Sequence, residues 1–429
     1  MRSSRRSLAA VLATAALVTA ACGTDTPTDA SAGGGPVTLV WWHNGTTDPL
    51  KSVWDKAAAD YHRAHPDVTI KVQPIQNEDF TTKVPLALQS DSPPDIYQQW
   101  GGGDEGSQIQ SGKVADITAQ TSPWVGPLGE FAKNWQVGGK QYGVPYEKHV
   151  VGFWYRKDLF TAAGITTPPS TMEELNTDVG KLRAHGVAPI AVGGKDRWPD
   201  AFYWAYFAIR ACSPQALQTA VQTLKLEDPC WVTAGRNLQA FLATKPFQAG
   251  FNGTPAQQGA GSSAGLVANG KAAMELQGDW NPGTMSALTE DKKLNDKLGW
   301  FPFPAVAGGA GDPAAVLGGG DGFSCTTKAA TACAGFLQYL TSEPVQRQIA
   351  SSGAGLPVNP TAASALTDPS LKSALEYTSK APYLQMYFDR AFPTNVGSAL
   401  NEAIANLFAG KGSPETIVQA VNEAGTGGR

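Results

Sequence analysis

The chain has 429 residues, 42% of them hydrophobic, with 33 Lys and Arg against 37 Asp and Glu. Setting aside the three arginines near the N-terminus (Arg2, Arg5 and Arg6) takes the formal charge from −4 to −7. No Lys/Arg stripe stands out, which argues against a nucleic-acid surface.

The N-terminal arginines precede a small apolar run over 8–20, too short for a stable membrane span. It ends Thr19-Ala20-Ala21-Cys22-Gly23. Small residues before a lone cysteine resemble the bacterial lipoprotein signal, in which 1–21 are removed and Cys22 is lipidated. Thr19 stands where that signal prefers Leu. Ser4-Arg5-Arg6-Ser7-Leu8 also resembles a twin-arginine export signal. Residues 22–36 read as a flexible tether, since TDTPTDASAGGGP from Thr24 has no large apolar residue. That stretch extends to roughly 45 Å at most. About 395 residues remain, more than one core usually supports, so two lobes are expected. Past Cys22 there are four cysteines, Cys212, Cys230, Cys325 and Cys333. An even count in an exported chain suggests two disulfides. Three pairings are open, of which Cys212–Cys230 and Cys325–Cys333 are the local ones. There is no CxxC and no zinc spacing, and no metal or other cofactor is expected.

The apolar run VTLVWW from Val37 fits a buried strand. Asp48-Pro49 then opens a helix, with Leu50, Val53, Trp54, Ala57, Ala58 and Tyr61 on one face and Pro66 as its stop. Val68, Ile70 and Val72 alternate as a second strand. Phe80, Val84, Ala87 and Leu88 give a second helix despite Pro85, and Asp95-Ile96-Tyr97 leads into a third strand. This βαβαβ order predicts a parallel sheet with helices on both faces. Further on, Thr171 with Glu174 offers a capping box. The helix behind it has Met172, Leu175, Val179 and Leu182 on its apolar face, and a strand follows over 187–192. Residues 201–242 read as mostly helical and 251–265 as a polar loop of small residues. Ser413-Pro414-Glu415 starts a last helix. Open parallel sheets bind ligands at the carboxyl ends of their strands, so a cleft between two α/β lobes is the natural site.

Catalytic motifs are absent or out of context. Gly261-Ser262-Ser263-Ala264-Gly265 matches GxSxG but lacks the strand before it. The run Gly318-Gly319-Gly320-Asp321-Gly322 lacks the lysine of a phosphate loop. His62 and His65 have no third ligand. The twelve tryptophans are the distinctive feature. Several sit beside Gly, Asp or Pro rather than on amphipathic faces: Trp42, Trp100, Trp198 and Trp280. An aromatic ring covers the apolar face of a sugar while Asp, Asn or Arg bonds its hydroxyl rim, which is what a saccharide cleft needs. Trp54, on a clear apolar face, reads as core.

The sequence resembles the extracellular solute-binding proteins of carbohydrate ATP-binding cassette importers, of the maltose-binding type. The likeness rests on VTLVWWHNG from Val37, SPPDIY from Ser92 with Trp100-Gly101-Gly102 beyond it, and GKQYGVPYEKHVVGFWYRKDLF from Gly139. GKAAMELQGDWNPG from Gly270 and GLPVNP from Gly355 complete it. The resemblance implies a two-lobed α/β periplasmic-binding-protein-like fold without catalysis, joined by a hinge crossed three times, near 144–147, 301–304 and 356–359. Lobe one would comprise 37–145 plus 305–355, and lobe two 146–304 plus 356–429. Site residues carried over from the family are His43, Asn44, Trp100, Tyr146, Glu147, His149, Trp198, Asp279, Trp280 and Asp321, with Asp321 in a glycine loop. Trp280 would be the main stacking ring on lobe two, opposed by Trp100. Thr46-Thr47 replaces the Asp-Lys pair of maltose binders, so the expected ligand is another short oligosaccharide, with a leaning toward xylobiose or xylo-oligosaccharides. The implied protein is a monomeric lipoprotein, lipid-anchored at the outer face of the cell membrane, that serves permease subunits of an importer. The competing readings are an extracellular glycoside hydrolase on a two-lobed scaffold and a binder of a non-sugar solute.

Overall fold

The computed structural model describes residues 35–427. The leader, Cys22 and nearly all of the tether lie outside the described residues, as do the last two. The first unit forms as its pattern dictates: strands β1 (Val37–His43), β2 (Val68–Pro74) and β3 (Ile96–Gln99) alternate with helices α1 (Leu50–Ala64) and α2 (Asn77–Gln89). Both β2 and β3 pair parallel to β1. The buried face of α1 is Val53, Trp54, Ala57, Ala58 and Tyr61. A third helix, α3 (Gly102–Ile109), follows β3 directly.

Beyond a two-residue hairpin, β4 (Gln136–Val137) with β5 (Lys140–Gln141), runs the long strand β6 (Gly143–Arg156). The remaining strands are β7 (Ala188–Ala191), β8 (Ala272–Gly278), β9 (Leu298–Phe301), β10 (Val316–Cys325), β11 (Leu356–Pro357) and β12 (Leu384–Met386). They form one mixed sheet in the order β2-β1-β3-β10-β6-β8-β7, with β9 and β11 also on β6 and β12 on β10. The glycine-rich run expected to be a loop is therefore the interior of β10, antiparallel to both β3 and β6. Its glycines admit neighbours that a side chain would exclude: a Cβ on Gly319 would lie 2.6 Å from the Tyr387 ring, and one on Gly320 2.5 Å from that of Phe131.

Core residues divide along the chain. Leu39, Trp41, Trp54, Tyr146, Phe323, Phe336 and Val358 share one core. Phe153, Trp204, Phe303, Leu317 and Phe408 belong to another, flanked by a cluster containing Trp154, Val316 and Leu356. The chain passes between cores within β6, within β10 and around β11. Phe301 and Phe303, near which the middle crossing was expected, lie in the larger core together with Ala315 and Leu317.

Two disulfides are present, Cys212–Cys230 and Cys325–Cys333. The first ties the helix Trp198–Ala211 to the helix Cys230–Ala243, and the second ties the end of β10 to the helix Ala330–Leu340. The capping box at Thr171 and Glu174 forms as the pattern predicts. No helix among the described residues is long and apolar enough to cross a membrane.

Candidate functional site

A cavity of about 350 Å3 opens beyond the carboxyl ends of β1 and β3 and beside the middle of β6 and β10. Asn44 enters it from the residue after β1, and Trp100 from the residue after β3. On β6 the two-residue period puts Glu147 and His149 on the cavity side and turns Tyr146 the other way. Asp321 stands opposite Glu147 in the β6–β10 register. Trp198 begins its helix with Pro199 behind it, and Trp280 caps the helix Asn281–Ala287. The Trp280 ring folds back over Gly278, where a Cβ would come within 2.0 Å of it, so the glycine makes room for the indole. It meets the His149 ring edge to face at 4.8 Å and lies 6.3 Å from Trp198.

The floor is charged and buried. His149 Nδ1–H donates to Asp279 Oδ1 at 3.1 Å. Its Nε2 faces Asp321 Oδ1 at 3.6 Å and Glu147 Oε2 at 3.7 Å, too far for good hydrogen bonds. Burial opposes the charge on His149, but the Asp279 and Asp321 carboxylates outweigh it and hold its pKa well above the usual histidine value. Burial pushes Glu147 up to about 8, with Asp321 and Asp279 adding to the rise and His149 opposing it. Burial works against ionised Asp321 as well, yet His149, Asn44 and Tyr146 bring its pKa below the ordinary value. At neutral pH the floor thus holds an imidazolium between two carboxylates, beside a protonated Glu147. Glu147, His149 and Asp321 offer three ligand atoms within 4.8 Å of one another, a spacing that would suit a cation. With His149 protonated, the same three groups form an ion-pair network.

Three of the sequence-derived site residues sit behind this surface rather than on it. Asp279 is fully buried and accepts from the backbone N–H of Val150 at 2.9 Å and of Leu356 at 3.0 Å, besides His149. Tyr146 donates to Asp321 Oδ2 at 3.2 Å from within the smaller core. His43 packs on Trp41 and accepts from Gly45 N–H, and burial takes its pKa down to about 3. Trp100 does reach the cavity, but it is only 7% exposed, edge-on to Phe80, with the Arg390 guanidinium 4.2 Å from its ring centre.

Residues 44–347 match the family model described as bacterial extracellular solute-binding protein. The chain belongs to that family. Among curated relatives of this solute-binding protein is an uncharacterized ABC transporter extracellular-binding protein of Pyrococcus horikoshii, 26% identical over 62% of this chain and 59% of the relative. A multiple sugar-binding protein of Streptococcus mutans is 24% identical over 67% of each. The chain thus spans under two thirds of the length of the P. horikoshii relative, and 56% of a second from that organism. A solved structure from work on xylan utilization by Caldanaerobius polysaccharolyticus superposes with a TM-score of 0.83 at 23% identity, covering 90% of this chain and 99% of its own. A chitin oligosaccharide binding protein gives 0.80, also at 23% identity, over 91% and 98%. These likenesses establish the two-lobed periplasmic-binding-protein-like fold.

Much of the cavity wall in this solute-binding protein escaped the sequence reading. Gln76 and Asn77 come from the start of α2, Gln257 and Gln258 from the small-residue loop, Phe202 from the first turn of its helix, and Tyr387, Asp389 and Arg390 from beyond β12. Gln258 Nε2 donates to Glu78 Oε2 at 3.2 Å, so the small-residue loop touches the start of α2. The Gly101-Gly102-Gly103 run has a second use. A Cβ on Gly103 would lie 2.6 Å from Ala391 O, so the first turn of α3 rests directly on the backbone past Arg390.

Proposed function

We propose that this protein captures a short oligosaccharide between its lobes and delivers it to the permease subunits of an ATP-driven importer. One observation carries the reading. A cavity is walled by the indoles of Trp198 and Trp280 and the ring of Phe202, and its lining residues carry buried polar atoms with no protein partner: Asn44 Oδ1, Glu147 Oε1, His149 Nε2, Trp280 Nε1 and Tyr387 OH. Aromatic faces and unpaired donors and acceptors in one enclosure match a sugar ring with its hydroxyls. The relative named for multiple sugars and the structural neighbours associated with xylan and chitin oligosaccharides support this class, and we favour a xylo-oligosaccharide.

The hinge in this reading consists of β6, β10 and the segment around β11, where the chain changes core. Cys22 is the proposed lipid anchor, which would tether a monomer at the outer face of the membrane. Replacing Cys22 with Ser should move the protein from the membrane fraction to the medium. The central test is calorimetry of the exported protein against a panel of disaccharides and short oligosaccharides. Heat from a di- or tripeptide and from no sugar would overturn the proposal, and release of monosaccharide at catalytic rates would replace it with a hydrolase.

A further inference from the structure

The cavity does not stop at solid protein. A second, smaller cavity of about 170 Å3 adjoins it, and Asn77, Trp198, Asp389 and Arg390 line both. These four residues stand at the boundary between the chambers. Its central piece is Arg390, whose side chain is 14% exposed, sits over the Trp100 ring at 4.2 Å and faces Asp104 at 3.6 Å. The guanidinium is held by one aromatic face and two carboxylates, Asp104 at 3.6 Å and Asp389 at 3.9 Å, which fixes it as a plug.

The second chamber repeats the chemistry of the first. Trp198 gives it an aromatic wall. Asn401 Nδ2 donates to Asp389 Oδ2 at 3.0 Å and leaves its buried Oδ1 without a partner. Thr394 Oγ1 donates to Asp104 Oδ1 at 2.7 Å, and Ser398 lies on the same wall. Amide, hydroxyl and carboxylate groups beside an indole again suit the rim and face of a pyranose ring.

We propose that Arg390 sets the length of the ligand: it closes off a further sugar-ring subsite that the smaller cavity provides. This rests on the oligosaccharide reading of the main cavity. Truncating the plug joins the chambers, and a ligand one ring longer then fits.

The test uses the exported protein and two calorimetric series, linear β-1,4-linked xylo-oligosaccharides and cello-oligosaccharides of increasing length. The wild type should show a length beyond which affinity falls. In Arg390→Ala the cut-off should move outward by one ring, with the affinity ratio of the longer to the shorter ligand rising roughly tenfold, or about 1.4 kcal/mol. Arg390→Ser serves as a second truncation if the first does not fold. Arg390→Met keeps the bulk without the charge and should keep the wild-type cut-off even if absolute affinities fall. An unchanged ratio in the truncations, or an equal shift in Arg390→Met, would overturn the plug while leaving sugar binding intact. Absence of any saccharide binding to the wild type would overturn the underlying reading, and the plug with it.

Discussion

Asp279→Asn separates a structural role from a ligand-binding one. The carboxylate is fully buried and accepts from three donors: Val150 N–H at 2.9 Å, Leu356 N–H at 3.0 Å and His149 Nδ1–H at 3.1 Å. Those donors belong to β6 and β11, two of the segments where the chain changes core. Asparagine has almost the same shape but only one acceptor oxygen. If that oxygen serves Val150 and His149, the amide NH2 points at the Leu356 N–H. One hydrogen bond to a charged acceptor is lost, worth about 1.5–3 kcal/mol, and a buried N–H is orphaned at about 1–3 kcal/mol more. The imidazolium of His149 also loses its closest carboxylate, and breaking a buried pair costs about 3–5 kcal/mol unless the surviving partner changes charge. His149 can shed its proton, which limits the total, and we expect about 3–5 kcal/mol of destabilisation. Urea unfolding followed by tryptophan fluorescence reads that loss, and NMR titration of His149 should show its pKa dropping. A wild-type unfolding midpoint combined with a hundredfold loss of ligand affinity would refute the reasoning and return Asp279 to the ligand's side of the site.

Trp280→Ala should weaken saccharide binding by roughly 2–4 kcal/mol while costing less in melting temperature than loss of a fully buried tryptophan, because its ring walls the cavity over Gly278 at the margin of the larger core. A large melting loss with near-native affinity would mark it as structural. The raised pKa of Glu147, about 8 against the ordinary 4.5, means that the folded state holds a proton the unfolded chain releases. Its share of stability is full below the ordinary value and declines as pH rises through 8, and raised His149 acts in the same direction. Glu147→Gln should flatten the decline, measured by urea midpoints at pH 6 and pH 8.5, and an unchanged slope would count against a protonated Glu147. Gly103→Ala would ordinarily favour α3 by about 1 kcal/mol. With Ala391 O only 2.6 Å from the new methyl, it should instead hold the lobes apart, which small-angle scattering would read as a larger radius and calorimetry as weaker binding.

Strong periodic patterns were legible in the sequence. The run from β1 to β3 with its two helices, and the capping box at Thr171, follow from spacing alone. Seven residues picked as site candidates do line one cavity: Asn44, Trp100, Glu147, His149, Trp198, Trp280 and Asp321. The strand β10 was not legible. Side-chain alternation is the signal for a strand, and glycines at 318, 319, 320 and 322 carry none. Nor does a motif distinguish the cavity side of a segment from its core side, and Asp279, Tyr146 and His43 are buried behind the surface that the other seven line. Tyr387 caps, and Arg390 lies in, a four-residue helix (Phe388–Ala391) too short to show a periodic pattern, and the pairing of β12 with β10 brings both to the cavity.

The position of β10 also governs the order in which the molecule can assemble. It pairs with β3, about half the chain away, and with β6. A chain that emerges from its N-terminus, whether from a ribosome or across a membrane, presents β1 to β3 long before their neighbour exists. Until residues 316–325 arrive, β3 and β6 are open edges, the kind of surface that recruits other chains. Such late, distant pairing slows folding. The smaller core is therefore first in sequence but completed late, and a nascent chain truncated before β10 is predicted to depend on chaperones for solubility.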